Sequence, residues 1–90
     1  MKYDRTMTIS AYTVPEGGIL MINVSERTWD HMDVIGDHAV AVDLDADRNV
    51  IGIEVLDQDQ FDLDAVAAEY GIADLVPEIR AAIAVAKPGP

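Results

Sequence analysis

Asp43-Leu-Asp-Ala-Asp-Arg-Asn-Val-Ile-Gly-Ile-Glu54 is the stretch whose reading decides the fold of this chain. Carboxylates at positions 1, 3 and 5, a β-branched Val50 at 8 and a glutamate at 12 follow the ligand spacing of a calcium loop. Such a loop needs glycine at position 6 for its sharp turn, and here that residue is Arg48. It also needs flanking helices, whereas His38-Ala-Val-Ala-Val-Asp-Leu44 and Val50-Ile-Gly-Ile-Glu-Val-Leu56 are β-branched runs. A strand leaving the turn at Val50 carries Glu54 roughly 13 Å away, at about 3.3 Å per residue. The stretch therefore reads as a β-hairpin with Asp45-Ala-Asp-Arg-Asn49 as its turn, the Asp and Asn side chains capping their own backbone. Asp43, Asp45, Asp47 and Glu54 remain only weak metal candidates, and no cofactor is expected. With that turn, Leu44 should face Val50, Val42 should face Gly52 and Val40 should face Glu54. Gly52 inside the strand marks either a bulge or a close approach of a neighbour to the backbone.

Upstream, Thr6-Met-Thr-Ile-Ser-Ala-Tyr12 alternates with Met7, Ile9 and Ala11 on one face. Val14-Pro-Glu-Gly-Gly18 reads as a turn and Ile19-Leu-Met-Ile-Asn-Val-Ser25 as the returning strand. Residues 26–37 are polar and irregular, with a short strand expected around Met32 to Ile35. Downstream the period changes: Leu63, Val66, Ala67 and Tyr70 follow helical spacing, with Asp59 or Asp62 as N-cap and Gly71 beyond the C-terminus. A second helix is signalled by Asp74 as cap, Pro77 in the first turn and the stripe Leu75, Ile79, Ala82, Ile83 and Ala86, ended by Lys87-Pro-Gly-Pro90. Strands followed by helices predict an α+β domain: a small antiparallel sheet of four to five strands followed by two C-terminal helices packed on one face. Residues 1–90 form one domain, β-rich over 6–57 and helical over 58–87.

The 90 residues are 50% apolar and 26% charged, a globular composition with room for one small core. The net charge is −11, and residues 30–64 hold ten Asp and one Glu against Arg48 alone. A nucleic-acid partner is not expected, because neutralising phosphate needs a basic face. A basic protein partner suits such a surface better, although an acidic surface also serves solubility alone. Without cysteine there is no disulfide or thiolate metal site. No segment resembles a signal peptide or a membrane span, so a cytoplasmic location and no membrane partner are expected, and Asn23-Val24-Ser25 reads as a chance sequon. Half-apolar composition in a thin domain also points to a homodimer.

Tyr12-Thr-Val-Pro-Glu-Gly-Gly-Ile-Leu-Met-Ile-Asn-Val-Ser25, followed by Ala41-Val-Asp-Leu-Asp-Ala-Asp-Arg-Asn-Val-Ile-Gly-Ile-Glu-Val-Leu-Asp57, resembles the YuzE-like family of small prokaryotic proteins. The likeness covers roughly residues 6–57. It departs at Arg48-Asn49, where members usually carry a glycine near the turn, at Met21, where an aromatic is common, and in the longer helical tail. It implies a small β-rich domain with a C-terminal helix and no established catalytic site, some members being encoded beside toxin-like genes, and it supplies no activity.

Among chemical groups, His31 and His38 with Asp30, Asp33 and Asp37 form the one His-carboxylate cluster, able in principle to hold zinc or manganese or to move a proton. Their spacing matches no helical His-x-x-x-His motif, and a solvated acidic loop is the simpler account. Ser10 and Ser25 lack a glycine elbow, and Glu16-Gly17-Gly18 is too short for a phosphate loop. Tyr12, Tyr70 and Phe61 are expected in the core, while Trp29 in the polar loop is the candidate interface anchor. The expected function is a non-enzymatic protein-interaction module using Trp29, Asp30, Asp33 and Asp37, with an antitoxin-like neutraliser of a basic partner as one form of it. A self-associating structural or regulatory domain is the alternative, and a weak metal-binding protein or enzyme built on the His31/His38 loop comes third.

Overall fold

The computed structural model describes residues 9–89; the expected strand positions Thr6, Met7 and Thr8 lie outside the described residues. Six strands, β1 (Ser10–Val14), β2 (Ile19–Asn23), β3 (His31–Ile35), β4 (Val40–Leu44), β5 (Val50–Val55) and β6 (Lys87–Pro88), form one sheet in the order β3-β4-β5-β2-β1-β6. The α+β class is as expected, but the sheet is mixed. Lys87–Pro88 does not merely stop the last helix; it runs parallel to β1, with the Gly89 N–H donating to the Thr13 carbonyl at 2.7 Å. Two helices follow β5: α1 (Leu63–Glu69) and α2 (Val76–Ala84).

The hairpin β4–β5 departs from simple pairing in an instructive way. Leu44 pairs with Val50 as expected, but Val42 faces Ile53 rather than Gly52, and Val40 faces Val55 rather than Glu54. Ile51 is the extra residue of a bulge, and its carbonyl accepts from the backbone N–H groups of both Val24 (3.0 Å) and Ser25 (3.2 Å) at the end of β2. Because side chains alternate faces, one inserted residue turns everything after it over. Val50, Ile53 and Val55 thereby all reach the core and are fully buried, while Gly52 and Glu54 go to the other face.

The covered face carries Leu20, Ile22, Val40, Val42, Leu44, Val50, Ile53 and Val55, packed against Leu63, Val66, Ala67, Ile72, Leu75 and Ile79 from the helical segment. Asp62 caps α1, its carboxylate accepting from the Ala65 N–H at 3.1 Å. Gly71 follows with φ +73, and the Ile72 N–H reaches back to the Ala67 carbonyl at 2.9 Å, closing the helix end and returning the chain to the core. The N-cap position of α2 is Leu75 rather than the expected Asp74. A 3-10 turn over Ala73–Leu75 feeds directly into α2, so Leu75 stands at the N-cap without a side-chain acceptor, and Pro77 in the first turn removes one donor that would need one.

Candidate interaction face

Register across the strands defines two rows on the side of the sheet away from the helices. One runs Tyr12–Met21–Glu54–Ala41–Val34 and the next Ser10–Asn23–Gly52–Asp43–Met32. At one margin Met32 is 45% exposed and Val34 49%, and Trp29, in the loop before β3, is 54% exposed. These are large apolar groups exposed together at one margin of a small protein rather than scattered singly over its surface.

A carboxyl pair sits in the middle. Asp43 and Glu54 share a hydrogen bond, which raises the Glu54 pKa above its usual 4.5, with burial and the Asp43 charge adding to the effect. Gly52 lies beside the pair: a Cβ there would stand a tight 3.1 Å from the Ile22 carbonyl oxygen and at ordinary contact, 3.6 Å, from Asp43 Oδ2. Asp43 Oδ1 accepts the Trp29 indole N–H at 3.1 Å, which ties the exposed aromatic to the pair.

The other two metal candidates are elsewhere. Asp45 is buried and folded into its own turn: Oδ1 accepts from the backbone N–H of Asp47 (3.0 Å) and Asn49 (2.7 Å), and Oδ2 from the Asn49 amide (3.1 Å). Burial pushes this carboxyl up, but the donors from Asn49 and Asp47, with the Arg27 charge, outweigh it and hold it below the ordinary range. Asp47 lies exposed at the tip. Among the described residues no group of three or more His, Cys, Asp or Glu is placed to hold a metal ion.

The His-carboxylate cluster is also dispersed. His31 opens β3, while Asp37 (φ +55) and His38 (φ +67) occupy the turn beyond its far end. His31 Nδ1 lies 2.8 Å from Asp30 Oδ2, and its Nε2 lies 3.2 Å from Arg48 Nη1. A neutral ring carrying its proton on Nδ1 satisfies both partners. Asp33 faces the helices, not the Trp29 side: its Oδ2 accepts from Arg48 Nη2 at 2.7 Å and from the Tyr70 hydroxyl at 2.9 Å. Those two bonds, Arg48 first, hold its carboxyl below the usual value. Of the four expected interaction residues, Trp29 is thus on the open face, Asp30 and Asp37 are exposed at the two ends of β3, and Asp33 is a tie between the sheet, the β4–β5 turn and α1. Met32 and Val34 had no signal of their own in the sequence, because alternation alone does not say which face of a strand is covered.

No protein-family model, curated protein or solved structure matches the chain. Among the described residues no helix is long and apolar enough to cross a membrane.

Proposed function

We propose that this protein is a non-enzymatic interaction module whose uncovered sheet face binds a basic protein. The observation that carries the reading is the Asp43–Glu54 pair set in that face beside exposed Trp29, Met32 and Val34. Aromatic and apolar anchors around a half-buried carboxyl pair suit a partner presenting an arginine or lysine, which would satisfy both carboxylates and stack on the indole. The net charge of −11 would speed encounter with a cationic surface. An antitoxin-like role, neutralising a basic toxin, is one form this activity takes, in line with the YuzE-like resemblance.

Self-association through the same face is the second reading, favoured by the exposed Met32 and Val34. The two readings differ in the sign of their pH dependence. A cationic partner pairs with ionised carboxylates and expels the proton the pair holds, so its binding strengthens as pH rises through the raised Glu54 pKa. A second copy brings two acidic pairs together and favours their protonated form, so a homodimer weakens over the same range. The experiment follows the mass of the protein alone by light scattering, and its binding to a partner captured from host cells, from mildly acidic to mildly alkaline buffer. Partner binding that rises with pH, falls with salt and drops with Trp29→Ala supports the module. Partner binding that is indifferent to Trp29→Ala and to pH overturns it.

A further inference from the structure

We infer that β3 is an acceptor edge: a basic, extended segment of another protein adds to it as a further strand of the sheet. This rests on the interaction reading above and specifies the form of the partner.

The two edges of the sheet are built differently. The β6 edge is two residues long, contains Pro88 with no N–H to offer, and is followed by Gly89, bound to Thr13 and packed so close to the Tyr12 ring that a Cβ would lie 2.5 Å from Tyr12 Cδ2. Short strands and prolines are how natural sheets close an edge against pairing. The β3 edge has five residues, His-Met-Asp-Val-Ile, with no proline, glycine or lysine, and among the described residues it pairs only with β4. An edge strand leaves alternate N–H and C=O groups free to bond an added strand. Asp33 could act as a charge that deters pairing, but its carboxylate is matched by Arg48 and Tyr70.

Side-chain order on β3 states what the added strand should carry. On the open face its residues would extend the rows ending in Met32 and Val34, which asks for apolar side chains. On the other face they would lie beside His31, Asp33 and Ile35, with exposed Asp30 and Asp37 at the two ends of the strand. Asp33 is already matched by Arg48 and Tyr70, so it is the two terminal aspartates that ask for basic side chains toward the ends of the added strand. Charge decides against a second copy as occupant, because it would bring its own exposed Asp30 and Asp37 to the edge of a chain already at −11. The fitting occupant is therefore a segment of about five to seven residues alternating apolar and basic side chains.

The test uses a synthetic peptide alternating arginine and valine, and a second peptide of equal charge with its central valine replaced by proline. Backbone amide exchange of the full chain is followed by NMR with each peptide, together with Trp29 fluorescence. The expected result is saturable binding of the alternating peptide, exchange slowed about tenfold or more at β3 amides with β6 unchanged, and weak binding of the proline peptide. Equal binding of both peptides, with resonances near Trp29, Asp43 and Glu54 perturbed but β3 exchange unchanged, overturns strand addition and leaves the open-face reading standing. Binding of neither peptide overturns strand addition as stated, because main-chain pairing tolerates sequence; partner capture that depends on Trp29 then judges the open face separately.

Discussion

The Tyr70 hydroxyl donates to Asp33 Oδ2 at 2.9 Å, joining the C-terminal end of α1 to the edge strand β3 across 37 positions of sequence. Arg48, from the β4–β5 turn, reaches the same oxygen at 2.7 Å. Three segments with no common sequence signal thus meet on one carboxylate, and the edge strand is held from the side the helices cover.

Tyr70→Phe should cost about 1 kcal/mol of stability, the usual worth of a hydrogen bond that water can partly replace, and urea unfolding would measure it. Burial first, then the bond to Asp33, pushes the phenol up to about 12. Its folded pKa is raised, so its stabilisation is complete below the usual 10 and is lost as pH rises through about 12. A phenolate absorbance titration should show one late-ionising tyrosine in the wild type that is absent from Tyr70→Phe.

Asp33 gives the opposite limb. Its folded pKa is lowered, so the stability it contributes is present above the usual 3.8 and lost as pH falls through the lower folded value. Asp33→Asn should be less stable than wild type at neutral pH, and the gap should close in acid. A gap that stays constant down the acid limb would contradict the ion pair with Arg48.

Glu54→Gln should stabilise the fold at neutral pH by a few tenths to about 1 kcal/mol, the range for like charges placed against each other across a sheet. The raised folded pKa means that the contribution of this pair is greatest in acid and declines as pH climbs past 4.5 toward the folded value. The substitution removes that decline, which thermal melts across pH would reveal.

Gly52→Ala should cost about 1 kcal/mol or more, because its Cβ at 3.1 Å from the Ile22 carbonyl cannot be relieved without moving backbone. The same methyl would stand at van der Waals contact, 3.6 Å, from Asp43 Oδ2 and take water from that side of the carboxylate, so the carboxyl titration seen by NMR at Glu54 should shift as well. Unchanged titration would mean the pair does not depend on the glycine.

Arg48 has φ +63, a left-handed conformation in which a side chain is strained. Arg48→Gly and Arg48→Ala both lose the bonds to Asp33 and His31, so a higher melting temperature for the glycine variant isolates the backbone strain. Glycine adopts this conformation without strain, so the turn makes a backbone demand that arginine meets here at a cost.

Much of the architecture was legible in local pattern. β-branched runs around Asp45-Ala-Asp-Arg-Asn49 specified a hairpin, and alternation with Gly-Gly punctuation specified β1 and β2. Asp62 and Gly71 marked the ends of α1 because capping and left-handed closure are local chemistry. What lay beyond the sequence was every relation that a single inserted residue or a distant partner controls. The bulge at Ile51 is held by Val24 and Ser25, and without those donors the pattern Val50-Ile-Gly-Ile-Glu-Val55 does not say which face Glu54 occupies. β6 has only two residues and a proline, so no propensity announces it; it exists because α2 delivers it beside β1. The sequence by itself determined the elements, the turn chemistry and the acidic charge, since these depend on neighbours along the chain. The tertiary structure decided the register, the face on which Asp43 and Glu54 meet, and the exposure of Met32 and Val34, because the helices cover only one side of the sheet.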